Sequence, residues 1–216
     1  MDVELFNELP ILGILRGIGA DAVETLTESI VSSGLKTVEI TMNTDDAPYL
    51  IRKMAGAADN RFAIGAGTVL SMDDLRSALD AGASFIVLPV MISDVVEYCA
   101  NHSIPVFPGA FTPQEIYTAW SAGATMVKVF PAKFFGPDYF REIRGPFGEI
   151  KLLACGGITS DSIGSFFSSG ASAVAFGGSI FRKEWLHSRK FSLIEMAIKE
   201  LISRYTTQAS SSKETS

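Results

Sequence analysis

Short apolar runs alternate with amphipathic stretches along nearly the whole chain. Residues 2–8 suit a short helix, and Pro10 opens the first apolar run, Ile11-Leu12-Gly13-Ile14-Leu15-Arg16-Gly17. Further runs of strand character cover residues 37–42, 62–67, 85–89, 105–109, 126–131, 150–157 and 173–178. Between them, helical patterning predicts helices over 21–33, about 45–57, 72–81, a stretch through Val95 and Tyr98, one opened by Pro113, 138–143, 160–168 and 191–205. A break is expected at Gly136-Pro137. The polar, low-complexity tail from Gln208 reads as disordered.

Strand–helix alternation argues a parallel sheet with helical crossovers, and eight such units argue a (β/α)₈ barrel. An internal repeat supports the count. Gly34, Gly82, Gly123 and Gly170 follow helices at spacings of 48, 41 and 47 residues, while Gly17, Gly67, Gly109 and Gly157 close alternate strands at spacings of 50, 42 and 48. The two series run in step, as four copies of a two-strand, two-helix unit would require. Glycine suits the left-handed residue that ends a helix. The expectation is a single α/β barrel domain over residues 1–207, with a short N-terminal helix and a disordered tail at 208–216.

Two charges interrupt this apolar pattern. Lys128 lies within Met126-Val127-Lys128-Val129-Phe130, where alternation puts Met126, Lys128 and Phe130 on one face. Long charged side chains are almost never fully buried without a partner or a task. An amine held among apolar neighbours can act as a nucleophile; a lysine on an edge strand would instead extend its head to water. Glu39 mirrors it, set between Val38 and Ile40, with Thr41 and Asn43 on its face. In an eight-stranded barrel the second and sixth strands face each other, so both charges can enter one interior. They would form either a structural ion pair or a nucleophile with its proton shuttle. The functional reading is preferred because barrel cores are normally filled by branched apolar residues.

Active sites of such barrels lie at the C-terminal ends of the strands. This chain places Arg16, Thr68, Pro89 and Pro108-Gly109 there, followed by paired glycines after the last two strands. Arg16 suits an anion clamp or a rim salt bridge. Gly156-Gly157 and Gly177-Gly178-Ser179 suit a phosphate cradle of loop amides, with a short helix at 179–183. The net charge is 18 − 24 = −6, which argues against nucleic acid or an anionic membrane as partner. Cys99 and Cys155 have no metal-ligand spacing, and neither His102 nor His187 lies in a strand-like run. No metal is expected. The acidic opening lacks a signal-peptide pattern and no apolar run reaches about 18 residues, which reads as a cytoplasmic enzyme.

Val38-Glu39-Ile40-Thr41, Gly65-Ala66-Gly67-Thr68-Val69-Leu70, Pro108-Gly109, Val127-Lys128-Val129-Phe130-Pro131-Ala132 and the two glycine loops carry a family resemblance. From about Pro10 to Tyr205 the chain resembles the class I 2-keto-3-deoxy-6-phosphogluconate aldolases and their galactonate and 4-hydroxy-2-oxoglutarate relatives. The resemblance implies a homotrimer without metal or cofactor that acts on a small-molecule substrate. It implies Lys128 as the Schiff-base lysine and Glu39 as the acid/base working through a water. Arg16, Thr68, Pro89 and Phe130 would line the pyruvate half, and Gly156, Gly157, Gly177, Gly178 and Ser179 would hold phosphate. Gluconate-type members often carry arginine at the place of Asn43 and threonine at the place of Cys155, and Val90-Met91 also departs from the pattern. Leu12–Ile18 and Phe135-Gly136-Pro137 look more like the galactonate branch. Alternatives on the same barrel are a phosphosugar isomerase or epimerase, which would want a catalytic histidine or metal cluster, and a phosphometabolite sensor, which leaves Glu39 and Lys128 without a task.

Overall fold

The computed structural model describes residues 1–213, with side chains through residue 207. Among these residues, nine strand segments form one parallel sheet: β1 (Ile11–Leu15), β2 (Thr37–Thr41), β3 (Ala63–Gly67), β4 (Ile86–Val87), β5 (Val106–Phe107), β6 (Gly109–Ala110), β7 (Val127–Val129), β8 (Leu152–Cys155) and β9 (Ala173–Phe176). Their spatial order, β5-β4-β3-β2-β1-β9-β8-β7-β6, ends on the two halves of a single strand. Pro108 divides those halves because it has no N–H to donate. Its carbonyl still accepts from Lys128 N at 2.9 Å, while Leu88 N reaches Phe107 O at 3.1 Å. The sheet therefore closes into an eight-membered ring, as the repeat predicts.

The helices α1 (Val3–Glu8), α2 (Val23–Ser33), α3 (Ala47–Ala58), α4 (Met72–Asp80), α5 (Ser93–Asn101), α6 (Pro113–Ser121), α7 (Gly136–Arg144), α8 (Ile163–Ser168), α9 (Lys183–His187) and α10 (Phe191–Lys213) follow in turn. A single 3₁₀ turn, Ala132–Phe134, follows β7. Local chemistry sets several boundaries. Asp2 caps α1 by accepting from Glu4 N, and Thr112 with Glu115 forms a reciprocal capping box at α6. Gly34, Gly82, Gly123 and Gly170 all adopt positive φ, as expected of residues that end helices. The expected break at Gly136-Pro137 is instead the first turn of α7, where a proline's missing N–H is no loss. The disordered tail expected from Gln208 is corrected for residues 208–213, which continue α10, while residues 214–216 lie outside the described residues.

Two apolar cores result. The larger lies between strands and helices and holds the outward-facing residues, Val38, Ile40, Val127 and Val129 among them. The smaller fills the barrel itself with Leu12, Phe85, Val87, Phe107, Met126, Leu153, Ala173 and Ala175. Phe6 of α1 stops the N-terminal end, meeting Phe107 edge-on at 5.9 Å, and Phe85 meets Phe107 at 6.0 Å. The paired segments are shorter than the apolar runs, and Phe85 and Met126 are buried in this interior although neither belongs to a strand segment. Gly65 makes the arrangement possible, since a Cβ there would lie 2.4 Å from the Phe85 ring.

Gly65→Ala should therefore destabilise the fold by about 1–3 kcal/mol through overpacking. Gly56→Ala, in α3 with nothing within 4 Å of the new Cβ, should stabilise it by up to ~1 kcal/mol. Denaturant unfolding of the two variants checks both signs.

Candidate active site

The barrel interior changes character toward the C-terminal ends of the strands. Glu39 on β2 is 1% exposed and Lys128 on β7 is 6% exposed, so both charges are inside the ring. Register places Glu39 beside Ile14 and Gly65, and Lys128 beside Gly109 and Leu153. The alternation argument is borne out: Met126 faces the interior with Lys128, while Val127 and Val129 face the helices.

Glu39 has the more unusual surroundings. Burial pushes its carboxyl above the ordinary range, and the nearby charges of Lys128 and Arg16 pull it back only partly. No ion pair joins Glu39 to Lys128, and Glu39 Oε2 is buried without a hydrogen-bond partner. A structural salt bridge would have paired these atoms. Gly67 supplies the space, because a Cβ there would fall 2.1 Å from Glu39 Oε1. The glycine series flagged this position, but only the tertiary structure shows that it clears room for a carboxylate.

Other groups converge on the amine. Lys128 Nζ stands 5.5 Å from the centre of the Phe130 ring, which is 40% exposed at the mouth. Arg16, at the end of β1, donates from Nη2 to Thr68 Oγ1 at 3.4 Å. Thr68 itself has φ of +56°, which turns the chain sharply after β3. Pro89 follows β4, and its carbonyl lies where a Cβ on Gly109 would fall, 2.1 Å away, so glycine is required there for close approach. Cys155 also belongs to this chamber. Burial raises its thiol's pKa, and the nearby charge of Lys128 pulls the other way. Sequence reading singled out Cys155 only as a departure from a pattern, although its alternation with Leu153 already pointed it inward. Asn43 departs from expectation. β2 ends at Thr41, and Asn43 lies in an exposed turn. That turn is pinned by Thr44, whose Oγ1 meets Thr41 Oγ1 at 3.0 Å and accepts from Gly17 N at 3.0 Å.

The two glycine loops adjoin. Ser179 donates from Oγ to Ile158 O at 2.8 Å, tying the loop after β9 to the loop after β8. Its hydroxyl proton is thus engaged within the protein. The short helix expected at 179–183 is α9, at Lys183–His187; residues 177–181 form a turn in which Gly177 O accepts from Ile180 N and Phe181 N. Among the described residues, the N–H groups of Gly157, Gly178 and Ser179 donate to no protein acceptor. A cleft of about 660 Å³ lies at the other end of the barrel, beneath α1, and holds neither Lys128 nor Glu39.

An amine and a carboxylate with no ion pair between them, in one buried chamber at the mouth of a parallel barrel, can hold a ketone as an imine and move its protons. That is the equipment of a lyase that breaks carbon–carbon bonds beside a carbonyl. Known proteins agree. The family model for KDPG and KHG aldolase matches residues 3–197, and the chain belongs to that family of aldehyde-lyases. It is 30% identical over 177 residues to the 2-dehydro-3-deoxy-6-phosphogalactonate aldolase of Escherichia coli (strain K12), covering 82% of this chain and 86% of that one. It is likewise 30% identical to the 2-dehydro-3-deoxy-phosphogluconate aldolase of Haemophilus influenzae, over 93% of this chain and 94% of that one. The solved "Native KDPGal structure" superimposes with a TM-score of 0.88 at 26% identity, covering 94% of this chain and 97% of the other. Among the described residues no helix is long and apolar enough to cross a membrane.

The raised carboxyl of Glu39 has a consequence for stability. Its folded-state pKa exceeds the unfolded value, so its contribution is greatest at low pH and is lost as pH rises through the folded value. From about pH 4 upward, wild-type stability should fall relative to that of Glu39→Gln, which carries no charge there. Urea unfolding of both proteins across that range checks the trend. A constant difference would show that Glu39 ionises as easily folded as unfolded.

Proposed function

We propose that the protein cleaves a 2-keto-3-deoxy-6-phospho sugar acid to pyruvate and glyceraldehyde 3-phosphate. The observation that carries this reading is the buried Glu39 carboxylate, unpaired at Oε2 although Lys128 shares its chamber. Lys128 Nζ attacks the C2 ketone to give a carbinolamine, which loses water to form the iminium. Glu39 carries the protons of that dehydration and takes the proton of the C4 hydroxyl. The C3–C4 bond then breaks, its electron pair moves into the iminium to form an enamine, and C4 departs as the aldehyde. Protonation at C3 and hydrolysis of the imine release pyruvate and restore the amine. The iminium is itself the electron sink, so the scheme needs no metal or cofactor.

Arg16 and Thr68, already joined to each other, are suited to the substrate carboxylate. Pro89 and Phe130 would wall the pyruvate half. At the far end, the free amides of Gly157, Gly178 and Ser179, with Gly156 and Gly177 beside them, support a phosphate cradle. The names of the relatives leave both C4 epimers and 4-hydroxy-2-oxoglutarate open as substrates, the last yielding pyruvate and glyoxylate. We take the working form to be a cytoplasmic homotrimer, on the family likeness.

Release of pyruvate from the two phosphorylated C4 epimers, assayed side by side, tests the reading. Cleavage of at least one is expected. Lys128→Ala should remove nearly all of it, and Glu39→Gln should reduce turnover by about 10²–10⁴-fold. Failure to release pyruvate from either epimer would overturn the proposal.

A further inference from the structure

One cation beside the glycine loops has no assigned role. Lys133 sits on the 3₁₀ turn Ala132–Phe134 that follows the lysine strand, and its side chain is exposed. Its stem lies directly on the loop after β8: a Cβ built on Gly157 would be 2.6 Å from Lys133 Cβ and 3.6 Å from its Cγ and Cδ. Gly157 has φ of +84°, so the loop turns there with its N–H unpaired, against the lysine stem. Among the described residues Lys133 forms no ion pair and no hydrogen bond; its ammonium rests 5.3 Å from the centre of the Phe134 ring.

The contrast with Arg182, the other cation against these loops, is informative. Arg182 donates from Nε to Ser179 O at 3.3 Å, stacks 4.4 Å from the Trp185 ring, and stands 3.9 Å from Glu184. Its charge is already engaged. Lys133 is held only by a ring face, an attraction that an anion readily outcompetes at an exposed site. The long stem lets its ammonium swing toward the loop amides while its base stays on Gly157.

We propose that Lys133 is a specificity-determining residue that adds a point charge to the amide cradle and selects substrates bearing a terminal phosphate. The inference rests on the reading of the glycine loops as the phosphate site. Loop amides alone bind a phosphate through oriented dipoles; an ammonium at their edge adds an attraction that an unphosphorylated substrate cannot use. Because the ammonium meets the phosphate equally in the bound substrate and in the transition state, its loss acts through KM rather than kcat.

The test measures KM and kcat for a 2-keto-3-deoxy-6-phospho sugar acid and for 4-hydroxy-2-oxoglutarate in wild type, Lys133→Met, Lys133→Arg and Gly178→Val. Lys133→Met should raise KM for the phosphorylated substrate by about three- to tenfold and leave the unphosphorylated one unchanged. Lys133→Arg should restore most of the loss. Added salt should raise the wild-type KM for the phosphorylated substrate more steeply than that of Lys133→Met. Gly178→Val tests the cradle separately, since a Cβ there meets nothing within 4 Å. If Gly178→Val raises KM for the phosphorylated substrate while Lys133→Met does not, the cradle stands and Lys133 has no part in it. If neither does, the cradle reading fails and the proposal falls with it. Equal rises on both substrates in Lys133→Met would also overturn it, because Lys133 would then be supporting the loop rather than reading phosphate.

Discussion

Everything near the mouth of this barrel depends on keeping a carboxylate and an amine inside one apolar ring without letting them neutralise each other. Removing either charge from water costs on the order of several kcal/mol, and a direct ion pair would recover part of that cost. Glu39 and Lys128 forgo it. The carboxyl stays harder to ionise than usual, and one of its oxygens has no partner within the protein. Such a costly placement persists only where the rest of the structure holds it.

The holding is visible at several levels. Strand positions two and six of an eight-membered ring put the two residues across from each other, and pairing on both flanks fixes each strand's register. Glycine at position 67 leaves the volume that the carboxylate fills. Below the charges, Phe6, Phe85, Phe107 and Met126 close the N-terminal end with close-packed rings and a flexible thioether, so water does not reach the pair from that side. The outer core, shared by the helices and the outward faces of the strands, offsets the cost of the inner site by burying most of the chain's apolar surface. The molecule thus separates two tasks. Helix–sheet packing stabilises the fold, and the ring interior is free to hold chemistry.

Much of this was legible in the sequence because it rests on periodicity. The eightfold alternation, the helix-ending glycines and the inward alternation of Lys128 each follow from spacing alone. Glu39 stood out for the same reason, as a charge between apolar neighbours. What stayed hidden depends on contacts between distant strands. Nothing local to Gly67 says that it makes room for Glu39, nor anything near Gly65 that it admits Phe85. Cys155 pointed inward by its alternation with Leu153, yet only the neighbouring strand brings it to Lys128. The tie from the Ser179 hydroxyl to Ile158 was equally hidden, since loop-to-loop hydrogen bonds leave no local trace. Asn43 was misplaced for a related reason: apolar character continues to Met42, but hydrogen-bonded pairing stops at Thr41 and Thr44 captures the turn.

The claim that matters most is covalent: that the buried amine, rather than any other lysine, joins the substrate carbonyl. Pyruvate alone should suffice to form the imine, and borohydride should reduce it to a stable adduct. After digestion, mass spectrometry should find the pyruvate-derived mass on the peptide containing Lys128 and on no other lysine. An adduct on Lys133 instead, or no adduct in protein that remains folded, would contradict the imine chemistry assigned to this chamber.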